Sequence, residues 1–234
     1  MSVFKFRQFD VRQSGSAMKI GTDAMVFGAF VDTANRTNAL DVGTGTGVLS
    51  LMVAQKNPAL EVHAVEIEPN AYEEAKFNFE ASLFKKQLTI HHEDFLRFST
   101  NTSFDLIFSN PPYFENSSKS GLEVRDLARH DDHLPLHKLF GKVSQLLAEH
   151  GRFWLILPHL TMDQYYPEAA IHGLYPETEI SVYGKKDQLV RKITAFSRMD
   201  NKTVILKELV IRNGDGTYTD AYKLLTKAYH FNIL

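Results

Sequence analysis

The chain has 234 residues, 44% of them hydrophobic and 12% aromatic, with 26 Lys plus Arg against 28 Asp plus Glu and no cysteine. The apolar fraction excludes a disordered chain, and the missing thiols exclude disulfide scaffolds, thiolate zinc sites, cysteine nucleophiles and cysteine-ligated iron–sulfur clusters. No stretch approaches the ~18 apolar residues of a membrane helix, and the N-terminus lacks an apolar run of signal-peptide type, so a cytoplasmic chain without membrane contact is expected.

The formal net charge of -2 is unevenly spread. Residues 1–19 carry +3, residues 20–179 carry -10 and residues 180–234 carry +5. Basic ends around an acidic middle mark a surface able to face a polyanion, or else a set of solvated strand faces.

In chain order, residues 4–18 alternate Phe4, Phe6, Phe9 and Val11 with Lys5, Arg7 and Arg12, the pattern of a hairpin. Residues 22–31 read as a short helix capped by Gly21 or Thr22, with Asp23 in its first turn. From residue 38 short apolar runs alternate with helical stretches: strand 39–42, helix 48–55, strand 61–66, helix 69–82 opened by Pro69, strands 88–91 and 104–108, helix 136–148 and strand 152–157. Runs 179–183, 190–198 and 204–212 are β-rich with short connections, and residues 222–229 form a terminal helix. Together these predict one α/β domain over residues 1–234. It has a basic hairpin and helix in 1–37 and a core in 38–234. The core is a mostly parallel seven-stranded sheet with antiparallel C-terminal strands and helices on both faces.

The first strand of the core runs into Asp41-Val42-Gly43-Thr44-Gly45-Thr46-Gly47 and then a helix, the place where an open α/β sheet binds a nucleotide-like ligand. A dinucleotide fingerprint would need glycine at position 48, where Val48 stands, and a P-loop would need Lys after Gly47. Gly-x-Gly-x-Gly behind an acid instead resembles the S-adenosylmethionine loop of Rossmann-like class I methyltransferases. In that resemblance Asp41, Gly43, Gly45 and Gly47 lie at the cofactor. Glu66, about 20 residues on, ends the second strand and can accept ribose hydroxyls, with Ile67 next to it. Asp94 after the third strand would accept from the adenine amino group, and Phe95 would flank the ring. The alternative for Asp94 is a helix N-cap.

The fourth strand ends in Asn110-Pro111-Pro112-Tyr113. This tetrapeptide resembles the motif of amino-methyltransferases that modify adenine N6 or an amide nitrogen. An exocyclic amine is a poor nucleophile because its lone pair is delocalised into the ring. Two acceptors, the Asn110 side-chain oxygen and the Pro111 carbonyl, can hold its two N–H bonds so that the lone pair faces the methyl donor. Pro111 and Pro112 restrict the backbone that carries the acceptors, and Tyr113 offers a flat surface for a base. The stretch from Ala128 to His133 has candidate ligands but no diagnostic metal spacing, so no metal is expected. Ser16-Ala17-Met18-Lys19 lacks the companions of a Ser hydrolase, and Trp154 reads as core.

With the basic Phe-rich start, Lys19 to Ala24, Ala128-Arg129-His130 and the tail around Tyr218 to Tyr222, these motifs are similar to those of the bacterial tRNA1(Val) (adenine-N6)-methyltransferases across nearly the whole chain. The resemblance implies S-adenosylmethionine as cofactor, Thr22 and Asp23 near it, and an adenine just 3′ of the anticodon of tRNA(Val) as target; a monomer is expected. Anticodon-loop phosphates would then meet Lys5, Arg7, Arg12, Lys185, Lys186, Arg191 and Lys192. Three alternatives stand beside it: a ribosomal RNA methyltransferase, a protein-glutamine methyltransferase, and a module that binds cofactor or RNA without turnover.

Overall fold

The computed structural model describes residues 2–14, 19–112, 134–200 and 203–230. The Phe-rich start folds into the antiparallel pair β1 (Val3–Lys5) and β2 (Asp10–Arg12), with Phe4 opposite Val11. Its aromatic side turns inward, where Phe6 and Phe9 stack at 4.4 Å, and Lys5 and Arg7 stay in solvent. Helix α1 (Thr22–Phe30) starts from an uncapped Gly21. Its end is held by the Lys56 ammonium, which donates to the carbonyls of Ala29 and Val31 at 2.7 and 2.6 Å. Burial lowers that ammonium to about 8.

The alternating region follows as β3 (Asn38–Val42), α2 (Val48–Lys56), β4 (Glu61–Glu66), α3 (Pro69–Ala81), β5 (Leu88–His92) and β6 (Phe104–Ser109). Pro69 occupies the first turn of α3, and the Glu68 carboxylate caps it by accepting from the backbone N–H groups of Asn70 and Ala71. Then come α4 (Leu136–Leu146), β7 (Leu147–Pro158), α5 (His159–Ile171), β8 (Tyr175–Lys185), β9 (Leu189–Ser197), β10 (Ile205–Arg212) and α6 (Asp220–Thr226). Thr219 caps α6 through its hydroxyl.

The main sheet has the order β10-β8-β9-β7-β6-β3-β4-β5. The central strands β3 and β6 are buried on both faces, which is why they read as unbroken apolar runs. One core cluster joins α1, α2, α6 and Phe79 of α3 to one sheet face. The other joins α4 and α5 to the opposite face, so helices cover both sides as expected. Trp154 lies in the first cluster.

Eight strands form this sheet, one for each β run of the core and not the seven of the expected total, and of the C-terminal three only β9 runs against the rest. β9 is antiparallel to both β7 and β8. β9 ends beside the start of β8 and β10 begins beside that same end of β8, so β10 and β8 pair in parallel. Short links suffice from β8 to β9 and from β9 to β10 because each of these successive strands reverses direction, whereas β7 and β8 run the same way and are joined through α5. Helix α5 was not foreseen. Pro167 stands inside it, only Met162 and Ala169 are buried, and Leu160 and Ile171 are exposed, so its apolar periodicity is weak.

Candidate functional site at the carboxyl edge of the sheet

Strand register gathers the candidate residues. Val42 of β3 pairs with Ser109 of β6 on one side and Val65 of β4 on the other, and Glu66 pairs with His92 of β5. Gly43, Asn110, Glu66 and the turn at Asp94 therefore leave four adjacent strands at one edge. Three strand spacings, about 14 Å, separate the outermost two. Ser109 locks the centre of this edge by donating its hydroxyl to the Val42 carbonyl at 2.9 Å.

The glycine loop bends in a way side chains resist. Gly43, Gly45 and Gly47 have φ of +69°, +58° and +80°. A Cβ on Gly43 or Gly45 would project into open space, whereas one on Gly47 would sit 2.4 Å from the Phe79 ring. The first two glycines thus leave an uncovered backbone cradle, and the third lets α2 start against α3.

Asp41 is fully buried behind that cradle. Its Oδ2 accepts from the Thr44 and Ser50 hydroxyls, both at 2.7 Å, and its Oδ1 makes no hydrogen bond. Burial pushes its carboxyl up to about 6, against the pull of those two hydroxyls, and the nearby Glu66 charge adds to the rise. A buried carboxylate with an orphan oxygen is a poor structural element and a good receptor for a cationic donor group.

Glu66 is 8% exposed and spans the loop and the next helix. Its Oε2 accepts from Gly45 N–H at 2.8 Å, and its Oε1 accepts from Ile67 and Glu68 N–H at 3.0 and 2.9 Å. Three backbone donors fix its direction and leave Oε2 the freer oxygen for a hydroxyl. Ile67 is half exposed beside it.

Asp94 is half buried, and its Oδ1 accepts from Leu96 N–H at 2.9 Å in a turn whose next residues bond back to the Asp94 carbonyl, with no helix for it to cap. Phe95 lies in the core below the strand ends with Val42 and Val65, 5% exposed. At the other end of the edge Asn110 is half buried, Pro111 is buried and Pro112 is exposed. Tyr113, the Ala128–His133 stretch, and Ser16 with its neighbours 17 and 18 lie outside the described residues. Among the described residues no group of three His, Asp or Glu side chains is placed to hold a metal ion.

Thr22 and Asp23 open α1, both half buried. The Asp23 carboxylate accepts from Arg191 Nε at 2.8 Å, which ties α1 to β9 where that strand meets the end of β7 at Pro158. A separate cleft of about 910 Å³ opens near the amino ends of the strands, lined by Arg36, Lys56, Trp154, Glu177 and Lys207 among others, and contains none of these residues.

Residues 14–166 match the family model described as the methyltransferase small domain. The tRNA1(Val) (adenine(37)-N6)-methyltransferase of Phocaeicola vulgatus is 34% identical over 98% of this chain and 98% of its own length. That of Pseudoalteromonas translucida is 33% identical over the full length of both. The chain belongs to the tRNA1(Val) (adenine(37)-N6)-methyltransferase family. The crystal structure of a predicted O-methyltransferase from Agrobacterium tumefaciens superposes with a TM-score of 0.63, covering 88% of this chain and 96% of that one at 16% identity, a likeness of fold.

Placing the family's motifs on the structure exposes what the motifs leave out. Thr44 and Ser50, which carry the hydrogen bonds of Asp41, were passed over as loop and helix residues, although a hydroxyl three and nine residues after a buried acid is a readable signal. Asn78 and Glu74, buried polar groups on α3, gave no local signal, since their partners lie 32 to 66 residues away. The supposed phosphate-binding cations divide into two groups. Arg191 is held by Asp23, and Lys192 bonds Asp163 at 2.6 Å and Glu179 at 3.1 Å. Burial pulls the Lys192 ammonium down, but the hydrogen bonds to Asp163 and Glu179 outweigh it and hold it above the usual lysine value. Arg7 reaches the Lys227 carbonyl, beside the Gln55 end of α2 that is remote from the glycine loop. Lys185 and Lys186 stay exposed in the β8–β9 turn at the carboxyl edge.

Proposed function

We propose that this chain methylates N6 of the adenine just 3′ of the anticodon of tRNA(Val), with S-adenosylmethionine as donor, as one cytoplasmic domain that works as a monomer without a metal. The observation that carries the reading is Asn110-Pro111-Pro112 emerging from β6, register-matched to the glycine loop leaving β3. The full-length likeness to family members named for this reaction favours tRNA over ribosomal RNA or protein.

The donor set fits the cofactor. The orphan Asp41 Oδ1 suits an ammonium group, the Gly43 and Gly45 backbone leaves room for a chain without Cβ obstruction, and Glu66 Oε2 suits a ribose hydroxyl. Ile67, Asp94 and the core ring of Phe95 would border the adenine end, Gly47 would set the helix that follows, and Thr22 and Asp23 would close the side under α1. When bound, S-adenosylmethionine supplies an activated methyl group on sulfur. The chain's part is orientation. The Asn110 oxygen and Pro111 carbonyl each take one N–H of the target amine and turn its lone pair out of the ring, Pro112 stiffens that backbone, and Tyr113 stacks on the base.

Purified protein is expected to transfer labelled methyl from S-adenosylmethionine to unmodified tRNA(Val), yielding N6-methyladenosine on nucleoside digestion. Label found only in ribosomal RNA or protein would refute the assignment. Replacing Lys185 and Lys186 together by Glu is expected to raise the KM for tRNA about tenfold or more at physiological salt, with cofactor affinity unchanged. An unchanged KM would place the RNA elsewhere.

A further inference from the structure

Asn78 lies at the heart of a contact no motif describes. Its side chain is 1% exposed and all its polar atoms are used. Oδ1 accepts from Arg12 N–H at 2.9 Å, and Nδ2 donates to the Arg12 carbonyl at 3.0 Å and to the Thr46 carbonyl at 2.8 Å. The amide thus treats Arg12 as an adjacent strand would, exchanging both backbone bonds, and with its remaining N–H grips the glycine loop. Glu74, one turn earlier on α3 and 5% exposed, accepts from Ser14 N–H. Gln13 Oε1 in turn accepts from Ile20 N–H at 2.8 Å, just before α1. Hence α3, whose first turn follows Glu66 directly, carries two buried polar side chains that bond the N-terminal arm, and one of them also bonds the loop.

Two buried polar side chains on one helix face are an expensive way to attach a surface hairpin, since apolar residues would attach it with no desolvation cost. What the amide adds is direction: it fixes the Arg12 backbone relative to Thr46, and therefore the arm relative to the loop. We infer that Asn78 is a positioning residue that makes the N-terminal arm part of the cofactor site, so that affinity for S-adenosylmethionine depends on the arm being docked. By reciprocity, bound cofactor holds the arm down. The inference rests on the glycine loop being the cofactor cradle.

The test uses the full chain and S-adenosylhomocysteine in calorimetric titration. Asn78→Ala is expected to raise Kd about tenfold or more, which removes hydrogen bonds from the loop carbonyl and both Arg12 groups. Its kcat on tRNA at saturating S-adenosylmethionine should stay within about threefold of the unsubstituted protein, a split that general loss of structure would not produce. In the unsubstituted protein, hydrogen exchange at the Arg12 and Ser14 amides should slow at least about tenfold when S-adenosylhomocysteine is added. A folded Asn78→Ala variant binding within twofold of the unsubstituted protein overturns the inference, as does ligand-independent exchange at those two amides. Should Asn78→Ala not fold, the exchange measurement and the milder Glu74→Gln decide in the same way. Gly45→Ala separates the two layers. If it binds normally, the cradle reading fails; if it loses binding and Asn78→Ala does not, only the present inference fails.

Discussion

Asn110→Ala should lower methyl transfer by at least about 100-fold while leaving the affinity for S-adenosylhomocysteine within a few-fold. The expectation comes from where the side chain stands. β6 is pinned between β3 and β7, its last residue Ser109 is bonded to the Val42 carbonyl, and the two residues after Asn110 are prolines, one of them buried. A side chain at this point has a backbone that cannot relax to compensate for it. Truncation removes one of the two acceptors and leaves the Pro111 carbonyl in place, so the amine is still drawn in but is free to turn. Asn110→Asp retains an acceptor and should recover part of the lost rate. Single-turnover transfer to tRNA, with binding measured separately, checks both. Activity of Asn110→Ala within tenfold of the unsubstituted protein would remove this side chain from the chemistry.

Much of the edge was legible because its chemistry is local. Asp41 stands two residues before Gly43, Glu66 ends its own strand, and Asn110 follows its strand directly, so each residue could be placed by the element it terminates. The parallel core was readable for a similar reason: strands buried on both faces spell short apolar runs separated by amphipathic helices. What failed to show was set by distant partners. β10 reads like any antiparallel strand, and only its pairing with β8, on the side away from β9, makes it parallel. α5 hides behind Pro167 and a nearly solvent-facing surface. Arg191 and Lys192 read as free cations and prove to hold Asp23, Asp163 and Glu179, which shifts the expected RNA-facing charge toward Lys185 and Lys186.

Asp41→Asn should weaken cofactor binding by roughly 30-fold or more, the loss of a charge-assisted contact worth about 2 kcal/mol. The amide can still accept from Thr44 and Ser50, so the hydroxyl pair remains anchored, but it presents no charge at the position of the orphan Oδ1. The unsubstituted protein should also show this residue in its pH dependence. Its carboxyl is raised to about 6 in the fold from 3.8, mainly by burial, so ligand-free folded protein keeps a proton that the unfolded chain releases. The contribution of this group to stability is therefore fully present below about pH 3.8 and lost as pH rises through about 6. Cofactor affinity runs the other way, because the carboxylate is the form that receives a cation. Affinity should be level above about pH 6 and fall by up to about tenfold per unit below it. Asp41→Asn should flatten both profiles between pH 5 and 7, weakly bound throughout. Calorimetric titration and thermal melts of the two proteins over roughly pH 5 to 8 check this, and a pH-dependent affinity that survives unchanged in Asp41→Asn would assign the titration to another group.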